Sequence, residues 1–162
     1  MYKLLGLGIA LLLSGLGSAH ASDAKTTIAD LDARLAKIGA PRLEGKAKAG
    51  ETEVAAIYFG PRKINGNYDV VDDIKRNTGA TATVFVKDGD EFVRVSTNVL
   101  TPEGKRGVGT KLAHAKAYDA LHQGQAYCGV VDVLGTAFDA CYNPIKDASG
   151  QLIGVTYVGY KK

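Results

Sequence analysis

The chain contains no tryptophan, one methionine and two cysteines, against 20 glycines in 162 residues. A tryptophan-free, glycine-rich composition suits a turn-rich α+β domain better than a helical bundle. Charge of one sign is also missing, since 20 Lys+Arg oppose 17 Asp+Glu for a formal charge of +3. That excess is too small and too scattered for a nucleic-acid surface, so a DNA-binding reading is set aside. There is no G-x-S-x-G, no Walker loop and no C-x-x-C-H haem attachment. Beyond the N-terminal segment no run of 18 apolar residues occurs, so the remainder has no candidate membrane helix. What is present is an ordinary globular balance, 46% hydrophobic and 23% charged, long enough to bury one real core.

The first residues read as an address. Met1-Tyr2-Lys3 carries one positive charge, Leu4 to Leu13 is apolar, and small residues end in Ala19-His20-Ala21. This pattern predicts a cleaved signal peptide over residues 1–21; the alternative is an uncleaved anchor, although the apolar run is short for a bilayer. No cysteine stands near the cleavage point for lipid attachment. The expected location is periplasmic or secreted, where disulfides persist.

Ile28, Leu31, Leu35 and Ile38 recur at helical spacing before Gly39 and Pro41, predicting a helix over Thr26 to Ile38. Arg42 to Thr52 is polar and Lys/Gly-rich and reads as a linker or loop. Val54 to Phe59 reads as a strand closed by Gly60-Pro61, with Asn65-Gly66 marking a tight turn. Asp69 and Asp72 frame a second helix in capping-box fashion, ending near Gly79. Period-two alternation through Thr81 to Val86, the turn Asp88-Gly89 and the return through Phe92 to Thr97 predict a hairpin. A helix carrying Leu112, Ala115, Tyr118 and Leu121 on one face follows, ending at Gln123-Gly124. Three strands close the chain, at Ala126 to Asp132, Thr136 to Ile145 and Leu152 to Tyr160.

One pairing follows from counting. If Leu134-Gly135 is a two-residue loop, Val133 faces Thr136 and Cys128 falls opposite Cys141 at a non-hydrogen-bonded pair. Such pairs hold Cα atoms about 4.5–5.5 Å apart, within reach of a disulfide. Tyr127 and Tyr142 then face each other across the other side of the sheet. The alternative is two buried free thiols, against which export argues.

Several segments together resemble a single-Cache sensor domain of the Cache 3/Cache 2 type. They are Tyr58-Phe59-Gly60 with Lys63, Asn65, Asn67 and Val71-Asp72; Thr83 to Val86; and Phe92 to Asn98. Gly104 to Thr110, Tyr127-Cys128-Gly129, Tyr142 to Asp147, Gly150 to Gly154 and Tyr157-Val158-Gly159 continue the pattern. The resemblance covers Val54 to Tyr160 and implies an α+β, PAS-like module: an antiparallel sheet of about five strands, with a long N-terminal helix packed on one face and a small-molecule pocket on the other. Residues 22–53 are then the N-terminal helix and linker, and 54–162 the Cache-like ligand-binding domain. In relatives the module sits between two membrane spans of a chemoreceptor, histidine kinase or cyclase. Here no second span or signalling domain follows the last strand, which points to an exported, soluble binding protein that works with a membrane receptor or histidine kinase. No nucleic-acid partner, cofactor or metal is expected.

The expected ligand is a small anion such as a short carboxylate. Arg94 stands mid-strand among apolar residues, where a charge is costly unless partnered or turned to solvent. Its guanidinium suits bidentate contact with a carboxylate, and an outward-facing surface arginine is the alternative. Lys146, at a strand end, is a second candidate cation or a solvated turn lysine. Tyr127 and Tyr142 would line a pocket, or pack as a plain cross-strand pair. Thr97 and Asn98 would supply neutral hydrogen bonds, and Lys105 and Arg106 would fold over the ligand or stay solvated. No enzyme is expected. His114 and His122 lie eight apart on one predicted helix without a third metal ligand, and no nucleophile or acid–base set emerges. The rival reading is a protein-interaction or scaffold module with a closed or vestigial pocket.

Overall fold

The computed structural model describes residues 19–162; the expected leader over 1–21 lies outside them except for its last three residues. Helix α1 (Ala19–Ile38) opens the fold. Ala24, Ile28, Leu31 and Leu35 bury one stripe of it at the three- and four-residue spacing of an amphipathic helix. The helix stops at Gly39, with φ of 152°. A Cβ there would lie 2.4 Å from the Gly60 Cα, so the close approach of these two chain segments demands glycine.

Strands β1 (Pro41–Ala49), β2 (Thr52–Phe59) and β3 (Arg62–Lys63) form a three-stranded antiparallel sheet. The linker expected over Arg42 to Thr52 is therefore mostly strand. It pairs with β2 from Pro41↔Phe59 to Ala49↔Thr52, with a bulge between Leu43 and Lys46. β1 is an exposed edge, so it needs no apolar alternation and carries Arg42, Lys46 and Lys48 to solvent.

Helix α2 (Asp69–Thr78) buries Val71 and Ile74 and ends on left-handed Gly79. The expected capping box is absent: Tyr68 holds the cap position without a side-chain hydrogen bond, and Asp69 and Asp72 both lie in the first turn. Their carboxylates serve Arg62 and Arg106 instead.

A five-stranded antiparallel sheet forms the centre, in the order β5-β4-β8-β7-β6. Its strands are β4 (Thr81–Asp88), β5 (Glu91–Thr97), β6 (Tyr127–Val133), β7 (Thr136–Lys146) and β8 (Leu152–Lys161). With α1 packed on one face, this is the α+β, PAS-like arrangement expected. The β6–β7 turn uses Leu134 and Gly135 at φ of 50° and 87°, the left-handed pair of a two-residue hairpin loop. The register follows as counted, with Cys128↔Cys141 and Tyr127↔Tyr142. Cys128 and Cys141 are disulfide-bonded, with Cα atoms 4.1 Å apart.

Helix α3 (Lys116–His122) is shorter than expected. Ala115 is still extended, and Leu112 donates its backbone N–H to the Phe92 carbonyl from a segment laid along β5. His114 thus precedes the helix and sits beside the Glu91 carboxylate at 3.0 Å, while His122 Nδ1 donates to the Tyr118 carbonyl.

The sheet has two unlike faces. Toward α1 and α2 it presents Ala82, Val84, Val86, Val93, Val95, Cys141 and Val158. The opposite face carries Phe85, Phe92, Tyr142, Val155 and Tyr157, under Leu112 and α3.

Candidate functional site

The second face is roofed by chain. From Val99 to Ala115 the backbone leaves β5, turns and returns along its outer edge, with Arg94 N–H to the Thr110 carbonyl at 2.9 Å and Gly109 N–H to the Arg94 carbonyl at 2.8 Å. Between this roof, α3 and the β6–β7 hairpin lies a cavity of about 350 Å³, walled by Leu112, Lys116, Ala117, Tyr127, Asp132 and Tyr142.

Arg94 lies on the same face and is 3% exposed. Its Nη1 donates to the Thr110 hydroxyl at 2.9 Å and to the Lys111 carbonyl at 3.0 Å, and its guanidinium carbon sits 4.9 Å from the Phe85 ring centroid. Nε is buried without a partner. Among the described residues no ion pair joins Arg94 to a carboxylate. Burial therefore pulls its pKa below the ordinary guanidinium value, while the neighbouring Tyr142 and Tyr157 phenols act in the opposite sense.

Tyr142 and Tyr157 stand side by side, ring centroids 5.0 Å apart. Burial pushes both phenols up, Tyr157 to about 12, so both are neutral donors at ordinary pH. Tyr157 shares a hydrogen bond with Thr81 at 3.1 Å, and Thr83 with Thr97 at 2.6 Å.

The bulge between β4 and β5 brings these groups together. Thr83 pairs with Thr97, yet Phe85 pairs with Arg94, so β5 carries one residue more than β4 over that interval. Strict alternation would put Arg94 and Thr97 on opposite faces; the extra residue aims both at the roofed one.

The other residues singled out in the sequence fall elsewhere. Tyr127 is half-buried in the cavity wall. Asn98 is spent on structure: its Oδ1 accepts from Ala82 N–H at 2.8 Å and its Nδ2 donates to the Val71 carbonyl at 2.7 Å, tying β4 to α2. Arg106 turns away from the cavity and grips Asp72 with both terminal nitrogens, at 2.7 and 2.8 Å, above the Tyr68 ring. That fork raises the Arg106 pKa and holds Asp72 below the usual carboxylate range. Lys105 is exposed in the roof, and Lys146 is exposed at the end of β7, beside a different cavity.

Sequence reasoning missed Tyr157, Thr83 and Thr110. Tyr157 was accessible through the alternation of β8, which puts it beside Tyr142. Thr110 had no local signal, because only the path of the roof brings it to Arg94.

A roofed sheet face that carries a desolvated arginine and neutral hydroxyls, with a small cavity on the same side, has the size and mixed lining that suit a small molecule. The family model for the Cache 3/Cache 2 fusion domain matches residues 22–162, and the chain belongs to that family of sensor domains. No curated protein matches it. Among solved structures, it is similar to the sensor domain of DcuS from E. coli, at 19% identity and a TM-score of 0.45 over 58% of this chain and 65% of that one. No helix among the described residues is long and apolar enough to cross a membrane.

Proposed function

We propose that this chain is an exported small-molecule sensor module that binds a small anion, in the class of short carboxylates, between the roof and the β6–β7 side of the central sheet. The observation that carries this reading is Arg94, buried without a counter-ion and with Nε unpartnered. An isolated buried charge is unfavourable by several kcal/mol, and an anion would offset that cost. Tyr127 and Tyr142 form the apolar wall with hydroxyl handles, and Thr97 adds a neutral hydroxyl. Lys105 moves with the roof as it orders around the ligand. Lys146 and Arg106 are assigned outer, electrostatic roles, since Arg106 is held by Asp72 and Lys146 stands at a different cavity. The disulfide supports an oxidising, periplasmic or secreted location. A membrane receptor or histidine kinase reads the ordered roof.

The test is a thermal-shift and calorimetric screen with short mono- and dicarboxylates, amino acids and amines. A carboxylate at a hundred times its Kd should stabilise the protein by about 2.7 kcal/mol. Arg94→Ala should remove that shift. Absence of any carboxylate response, or an unchanged Kd in Arg94→Ala, overturns the assignment.

A second reading has its own observation. Arg94 Nη1 is already satisfied by the roof, and Thr83 and Thr97 satisfy each other, as in a pocket that stays shut. On that reading the module presents a surface to a receptor, and ligand-free co-purification with a membrane protein distinguishes it.

A further inference from the structure

The larger cavity lies on the other side of the central sheet. It measures about 510 Å³ and lies between the C-terminal half of α1, Phe59 of β2 and the end of β7. We propose that it is a second binding site, independent of the Arg94 cavity, and that it takes a small organic ammonium group against Asp32.

Asp32 is the only carboxylate in the wall among the described residues. It is half-buried, and α1 holds it over the sheet. Oδ1 accepts from the Thr156 hydroxyl at 2.6 Å and Oδ2 from the Asn143 amide at 2.7 Å. Asn143 and Thr156 are themselves paired across β7 and β8, so the carboxylate is oriented by a rigid two-point cradle. Both donors are neutral. They leave about two of the four lone-pair directions of an ionised carboxylate open, and they leave its charge uncompensated.

No ion pair joins Asp32 to a basic side chain among the described residues. One helical turn away on either side stand Ile28 and Ala36, which cannot supply a charge. Lys146 is the single cation of the wall among the described residues, but it is exposed, and its ammonium lies toward Gly124, just past the end of α3. The rest of the wall includes Leu35, Ala36, Phe59 and Ile145. Such walls lower the local dielectric, strengthen an ion pair with Asp32 and accept an alkyl chain. A fixed half-buried anion in an apolar cavity is complementary to a short aliphatic amine, and repels a carboxylate of the same length.

Isothermal titration of the full protein with n-pentylammonium, and with valerate as the anion of matching chain length, tests this. Pentylammonium should bind saturably. Asp32→Asn keeps the side-chain shape and one of the two acceptors of the cradle but removes the charge, and should weaken binding by about tenfold or more. Ala36→Leu leaves Asp32 intact and fills the cavity from an exposed helix position, so it should weaken binding even if Asp32→Asn folds poorly. Arg94→Ala should leave pentylammonium affinity unchanged, which separates this site from the anion site. No saturable pentylammonium binding, or an unchanged affinity in Ala36→Leu, overturns the proposal.

Discussion

The two faces of the central sheet each meet one charged side chain, and they treat it differently. On the helix side, Asp32 reaches down from α1 onto a mainly aliphatic face, where the two neutral donors Asn143 and Thr156 hold it half-exposed at a cavity edge. On the roofed side, Arg94 grows out of the sheet itself and lies almost wholly buried among aromatic rings and hydroxyls. One face is packed by a preformed helix with a clean apolar stripe. The other is closed by irregular chain whose backbone bonds to the outer edge of β5. The helix side is thus closed by regular structure and the roofed side by irregular chain, although the largest fully buried side chains, Tyr142, Tyr157, Phe85 and Phe92, lie under the roof.

The sharpest way to break that contrast is to cut the helix side. Leu31 is fully buried beneath α1, and Leu31→Ala should lower stability by about 2–5 kcal/mol, read as a drop in urea midpoint at constant m-value. A loss under about 1 kcal/mol would show that α1 is not the main packing element.

Arg94→Met should act in the opposite sense. It replaces a desolvated, unpaired charge by an apolar chain of similar length, and should stabilise the ligand-free protein by about 1–3 kcal/mol while abolishing any carboxylate response. A clear loss of stability would mean that the roof depends on the guanidinium bonds to Thr110 and Lys111.

The smallest effect is the pH response of the roofed face. Tyr157 has a folded pKa of about 12, raised by burial above its ordinary value near 10. Its neutral form therefore contributes stability that is fully present below pH ~10 and is lost as the pH rises toward 12. Denaturant midpoints measured from pH 9 to 12 should fall less steeply in Tyr157→Phe than in the parent. Equal slopes would mean that another group governs the alkaline loss.

Much of this was readable locally. The spacing of Ile28, Leu31 and Leu35 named the helix and its buried stripe. The Leu134-Gly135 turn set a register from which the Cys128–Cys141 pair followed, because side-chain alternation and a two-residue loop leave no freedom over so short a span. The same reasoning failed at Arg42 to Thr52, where an exposed edge strand is free to carry lysine and glycine and so loses the strand signature. It failed again before α3, where Leu112 and Ala115 keep helical spacing while the chain stays extended to follow β5. Arg94 and Tyr142 stood out as candidate site residues, but the bulge that puts Arg94 and Thr97 on one face left no mark in the alternation.

Sequence by itself determined the family, the main elements, the hairpin register and the disulfide, since each rests on periodicity, turn chemistry or motifs within a short stretch of chain. Tertiary structure decided which face Arg94 occupies, that Arg106 pairs with Asp72 on α2, and that Asp32 meets Asn143 and Thr156 at the far end of the sequence. Those outcomes depend on contacts between residues tens to more than a hundred positions apart. Such contacts are set by how the layers pack, and no local pattern records them.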